Sequence, residues 1–238
     1  MAASPAAALL GFFFAASSAF GAGISATGVV RYEGPEVRPR PLRMDADPKC
    51  AEIYRGKPVP ARDRLVAADG GVANVFVYLE EAPAGTGPFA VPEKPVDLTQ
   101  KGCFYEPTVL GILVKQDLAV HNEDDTLHNV RCLAKENRPF NLGQPANTPP
   151  RTKFFTSPEQ AVKFKCDVHP WMAAYVFVME HPFFAVTDTA GRFSIDGLPP
   201  GTYRLHAWHE TFGALEQDIE VEAGAADSTF VYRQAPPE

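Results

Sequence analysis

No block of basic residues occurs in this 238-residue sequence, where 29 Asp and Glu outnumber 22 Lys and Arg for a net charge of -7. The chain therefore lacks the positive face that nucleic acid or an anionic lipid surface selects. His and Met are scarce, at 6 and 4 residues, and form no tract of the kind that metal-storage chains carry. Ser-His-Asp, nucleophile-elbow, phosphate-loop and dinucleotide patterns are all missing, so no residue is assigned a catalytic role and the chain is read as a non-enzyme. Long amphipathic runs are few. Beyond the N-terminus, no apolar run approaches membrane-spanning length.

What is present is 45% hydrophobic residues broken by 23 Pro and 18 Gly, the mark of short strands between turns, and the fold class expected is all-β. Residues 1–22 carry no charge and pass through Leu9-Leu10-Gly11-Phe12-Phe13-Phe14 to the small-residue stretch Ala19-Phe20-Gly21-Ala22. This reads as a signal peptide, implying a periplasmic or secreted protein. The usual positive start is lacking, so the segment is either cleaved or kept as an N-terminal anchor, the only membrane contact expected. In an oxidising compartment the four cysteines, Cys50, Cys103, Cys132 and Cys166, allow three connectivities.

Strand signals fall into three groups. The first, over residues 24–82, holds Gly28-Val29-Val30-Arg31-Tyr32 and the apolar run 72–79, separated by a Pro- and Arg-rich stretch, 38–64, expected to be a surface loop with one short turn near residues 51–54. A Gly/Pro linker, 82–95, precedes the second group, over 94–181. The third, over 182–234, alternates apolar and polar residues at period two with turns at Gly191, Gly197 and Pro199-Pro200-Gly201.

The chemistry lies in two words of the second group, Asn122-Glu-Asp-Asp-Thr-Leu-His128-Asn129 and Cys166-Asp-Val-His169-Pro-Trp-Met172. One thiolate, two imidazoles and one thioether form the donor set that suits an ion alternating between Cu(I) and Cu(II). In Val162-Lys163-Phe164-Lys165-Cys166 the apolar residues and the cysteine share one strand face, so Cys166 points inward where the strand ends. Glu123-Asp124-Asp125 reads as a solvated loop or a docking patch, and His206 and His209 as surface residues on opposite faces of a strand.

These two words resemble those of the cupredoxins, and the His-Pro-aromatic-Met loop is similar to that of the amicyanins. Pro107 to Asp117 resembles the family's proline, strand and turn, with Gln116 where a glycine is usual. The resemblance implies a Greek-key β-sandwich over 94–181 that binds one copper ion through His128, Cys166, His169 and Met172. It also implies that Asn129 steadies the cysteine loop, and that His169 has a solvent-facing edge ringed by Pro170 and Trp171 where electrons enter and leave. Alternation makes Cys132 a buried core residue, and Cys50 with Cys103 is then a reasonable disulfide; in the competing pattern Cys132 pairs with Cys166 and both histidines are ordinary loop residues.

The segment Thr187-Asp188 to Gly201-Thr-Tyr203 resembles the carboxypeptidase regulatory-like β-sandwich, a non-catalytic family. Its other half fits Gly28-Val-Val30 and Val75-Phe-Val77, so the simplest arrangement is a sandwich of 24–82 and 182–234 with the cupredoxin inserted between its strands; the less economical alternative is a cupredoxin adjoining it, as three separate units in a row. The function expected is that of an exported mononuclear copper protein carrying electrons between redox partners. The alternative is a copper-binding or copper-delivery module, or a sandwich that recognises a partner or saccharide.

Overall fold

The computed structural model describes residues 23–222 and 226–233; the expected signal peptide lies outside the described residues. The described chain is all-β apart from one 3-10 turn and one short helix. Among the described residues no helix is long and apolar enough to cross a membrane.

Two sandwiches make up the molecule. In the first, strand Ile24–Tyr32 lies between Arg192–Leu198 and Ala226–Tyr232, and faces a sheet ordered Phe184–Val186, Phe76–Leu79, Gly201–His209, Gly213–Val221. Val30, Val77, Leu79, Ile195 and Leu205 fill the space between these sheets. In the second, a five-stranded sheet ordered Phe140–Gln144, His128–Cys132, Glu159–Lys165, Ala173–Met179, Val109–Leu113 packs on a sheet ordered Arg151–Lys153, Leu118–Asn122, Val96–Lys101, Phe104–Glu106. Its core includes Leu98, Ile112, Val130, Phe164 and Cys166.

Period-two alternation explains how the sandwiches meet. Strand Phe76–Leu79 is buried at every position, because Val77 and Leu79 enter the first core while Phe76 and Tyr78 point the other way into a separate aromatic seam. Ala173–Met179 does the same from the opposite side: Ala174, Val176 and Val178 face the second core, and Tyr175, Phe177 and Met179 face the seam. A sheet covered on both faces needs continuously apolar strands, which is why these runs lack polar alternation. Phe76 stacks on Phe177 with ring centroids 3.9 Å apart, and on Phe184 at 5.3 Å. Gly111 makes this possible, since a Cβ there would lie 2.4 Å from the Phe184 ring and 2.8 Å from the Phe76 ring.

The stretch expected as an ordered surface loop is a strap across one end of the second sandwich, with more regular structure than its prolines suggest. Pro41–Leu42 pairs with Val59–Pro60, and Pro48–Tyr54 forms a helix. Asp47 caps that helix by accepting from the N–H groups of Lys49 (2.7 Å) and Cys50 (3.3 Å). Proline at the first helical position needs no N–H partner, and an aspartate before it satisfies the next two. Arg55, in the left-handed region at φ 49°, ends the helix. A disulfide joins Cys50 to Cys103, Tyr54 donates to the Gly102 carbonyl at 2.7 Å, and Met44, Cys50, Val59, Cys103 and Phe104 form a small core beneath the strap.

Candidate metal centre

His128 opens strand His128–Cys132, and Cys166 directly follows strand Glu159–Lys165, its neighbour in the same sheet. The loop from Cys166 closes on itself, with Cys166 N–H donating to the Met172 carbonyl at 3.2 Å and Met172 N–H to the His169 carbonyl at 2.9 Å. This turn brings His169 back over the cysteine. His128 Nδ1 and His169 Nδ1 are 2.9 Å apart, and Cys166 Sγ is 3.6 Å from His169 Nδ1. The three donor atoms lie within 4.8 Å of one another. Both histidines and Met172 are wholly buried, and Cys166 is 2% exposed. Met172 packs in the same core as Cys166.

Asn129 tethers the loop as expected. Its Oδ1 accepts from the Asp167 N–H at 2.7 Å and from Cys166 Sγ at 3.3 Å, while its Nδ2 donates to Asn141 Oδ1 at 2.7 Å. The Tyr105 hydroxyl donates to the Asn129 carbonyl, which supports the tether from the opposite sheet. Cys132 and Cys166 are both free thiols, and Cys132 is a core residue at 1% exposure.

The outward nitrogens of both rings meet carboxylates. His128 Nε2 lies 2.8 Å from Asp124 Oδ2, and His169 Nε2 lies 3.0 Å from Asp47 Oδ2. Asp124 is thus not a solvated loop residue: it is buried and accepts from the N–H groups of Gly102 (2.6 Å) and Cys103 (2.7 Å). Nor does His169 present an edge to solvent. The strap covers it, and Trp171, expected to ring the edge, turns its indole N–H to the Cys103 carbonyl at 2.9 Å. The acidic residues were the part of the site missed in the sequence. The Asp-Pro pair at 47–48 signals a helix start, but nothing local ties it to a histidine 122 residues away.

These contacts set the charge of the site. Burial disfavours the Cys166 thiolate, yet hydrogen bonding from His128 and His169 outweighs it and lowers the thiol to about 6. Burial likewise opposes protonation of His128, but the bonds to Asp124 and Cys166 raise it to about 8; His169 is raised in the same way by Cys166 and Asp47. Both Asp47 and Asp124 are held below the ordinary carboxylate value, their imidazole and N–H partners overriding burial.

His209 departs from the expected surface position. It is 2% exposed, its Nδ1 accepts from the N–H groups of Thr211 (3.1 Å) and Phe212 (3.3 Å), and burial drives it down to about 4. It is a neutral structural histidine.

Residues 170–231 match the family model described as the carboxypeptidase regulatory-like domain. No curated protein matches the chain. Among solved structures it is similar to the Cu-containing nitrite reductase of Thermus scotoductus SA-01, at 23% identity and TM-score 0.35 over 42% of this chain and 26% of that one. It is also similar to a purple cupredoxin from Nitrosopumilus maritimus, at 24% identity and TM-score 0.30 over 35% of this chain and 99% of that one. An oxidised amicyanin variant matches at 16% identity and TM-score 0.33 over 43% of this chain and 98% of that one. The chain thus spans about a quarter of the nitrite reductase and nearly all of the other two. At these TM-scores the likenesses decide nothing about architecture, which stands on the strand pairing given above.

Proposed function

We propose that the chain holds one copper ion through His128, Cys166 and His169, with Met172 as the fourth donor, and carries single electrons between redox partners outside the cytoplasm. The observation that carries this reading is the orientation of the two imidazoles. A carboxylate only accepts hydrogen bonds, so each Nε2 beside one carries the proton and each Nδ1 carries a lone pair. Two such lone pairs 2.9 Å apart, in a fully buried site beside a thiolate, need a cation between them. In the ion-free protein an additional proton meets the need; a metal would meet it with all three donors in their ligating form.

The donor set fits copper. A thiolate and thioether suit Cu(I), imidazole suits Cu(II), and one cysteine with two histidines and a nearby methionine is the combination associated with copper electron-transfer sites. Copper bound there supplies a one-electron couple. The protein's own part is to keep the donors from rearranging: Pro170 stiffens the loop, the two backbone bonds across it fix its span, and Asn129 ties it to the neighbouring strand.

Burial favours a carrier over a delivery module. An electron crosses a few ångströms of packed protein, whereas handing over an ion requires the ligands to be reached, and the disulfide-pinned strap covers His169. The disulfide also suits an oxidising compartment. We take 94–181 as the copper-binding unit, inserted in a sandwich of 24–82 and 182–234 that holds it at both ends. The test is voltammetry of the copper-loaded protein with a Cu(I) chelator present. A reversible one-electron wave with one copper retained per chain supports a carrier; rapid loss of Cu(I) to the chelator supports delivery, and absence of bound copper overturns the reading.

A further inference from the structure

We infer that Asp47 and Asp124 are positioning residues that jointly set the reduction potential of the copper site, an inference that rests on the function proposed above. Each carboxylate faces the Nε2 of one ligand imidazole, at 3.0 Å for Asp47 and His169 and 2.8 Å for Asp124 and His128. Neither is a freely rotating surface group. Asp47 Oδ1 accepts from the N–H groups of Lys49 and Cys50, and its Oδ2 lies 3.3 Å from the Thr126 hydroxyl. Asp124 accepts from the N–H groups of Gly102 and Cys103. Cys50 and Cys103 are the two ends of the disulfide, so one covalent bond joins the two backbone segments whose N–H groups hold the two carboxylates, Lys49-Cys50 for Asp47 and Gly102-Cys103 for Asp124.

Two consequences follow. Each carboxylate fixes the tautomer of its histidine, keeping the proton on Nε2 and the lone pair on Nδ1, where the thiolate is. Each also places a negative charge one ring away from the metal, which makes the imidazole a stronger donor and favours the more highly charged oxidation state. The couple is Cu(II) plus one electron, from the external redox partner, giving Cu(I); both Nε2 protons stay where they are, so no proton enters or leaves. Removing a carboxylate charge weakens Cu(II) binding more than Cu(I) binding and raises the potential.

The experiment compares wild type with Asp47→Asn, Asp124→Asn, the charge-keeping Asp47→Glu, and Asp125→Asn, which removes a neighbouring exposed carboxylate paired with Lys49. Each Asn variant at positions 47 and 124 is expected to shift the ratio of Cu(II) to Cu(I) affinity about tenfold, which is about 59 mV for one electron, with Asp47→Glu and Asp125→Asn close to wild type. In 15N NMR of the Cu(I) protein, the two protonated Nε2 signals should be present in wild type, and the His169 signal should move in Asp47→Asn. Should the buried Asp124→Asn variant fail to fold, Asp47→Asn at the partly exposed cap decides the matter. Potentials of Asp47→Asn and Asp125→Asn within twofold in that ratio, with copper and the visible band intact, overturn the positioning role alone. Absence of copper from the wild type overturns the positioning role together with the function it rests on.

Discussion

Replacing Cys50 and Cys103 together by alanine cuts the covalent tie between the strap and the second sandwich. The bond spans 53 residues, and closing a loop of that length restricts the unfolded chain by about 4 kcal/mol at 25 °C. Both cysteines are fully buried, so the loss of their sulfurs adds on the order of 1 kcal/mol per site from incomplete packing. Against the roughly 5 to 15 kcal/mol that holds a typical domain folded, this is a third or more of the total. Urea unfolding should show it through the two tryptophans, because Trp171 bonds to the Cys103 carbonyl and Trp208 sits in the aromatic seam. The midpoint should fall and the urea dependence should steepen, since an uncrosslinked unfolded chain exposes more surface. A loss below about 1 kcal/mol with unchanged steepness would refute the reasoning. If the Trp171 signal shifts alone, with Trp208 at its original midpoint, the strap opens as a separate unit and the loop-closure magnitude does not apply to the whole chain.

Three further outcomes are expected. Gly111→Ala drives a methyl into the Phe184 and Phe76 rings and should cost about 1 to 3 kcal/mol, while Phe76→Ala should cost about 3 to 5 kcal/mol; urea midpoints check both. Asn129→Ala leaves the Asp167 N–H without its partner and should destabilise the protein by about 1 to 3 kcal/mol, measured as a drop in Tm. His209 titrates near 6.5 when unfolded but at about 4 in the native protein, so between those values the unfolded chain binds the extra proton. Its contribution is complete above about pH 6.5 and is lost as pH falls towards 4, by about 3 kcal/mol in all. His209→Asn, whose amide oxygen accepts in place of Nδ1, should flatten the stability curve over that range, and an unchanged slope would remove His209 as its cause.

Local periodicity made much of this legible. The alternation in Val162 to Cys166 placed the cysteine inward at a strand end, and the structure buries it there at the sheet's core face. The resemblance of two words to those of the cupredoxins implied that His128, Cys166 and His169 share one site, and their donor atoms lie within 4.8 Å of one another. Relations between distant segments were not legible. The prolines of 38–64 argue against regular helix and so hide the cap at Asp47, whose second oxygen finds His169 only through the fold. Asp124 sits in an acidic run that looks solvated until two backbone amides and an imidazole close around it. The double burial of Phe76–Leu79 and Ala173–Met179 appeared only as missing polar alternation, a signal that does not say which faces meet. His209 follows the period-two rule relative to His206, yet its face is covered by the Phe212 turn, which spacing along one strand cannot reveal.

The central claim is tested most directly by the visible absorption spectrum of the purified protein titrated with Cu(II), beside the same titration of Cys166→Ser. An intense thiolate-to-copper band that saturates at one equivalent in the wild type and is missing from the variant is the predicted result. A wild type that stays colourless, or a band that survives loss of the Cys166 thiol, would contradict it.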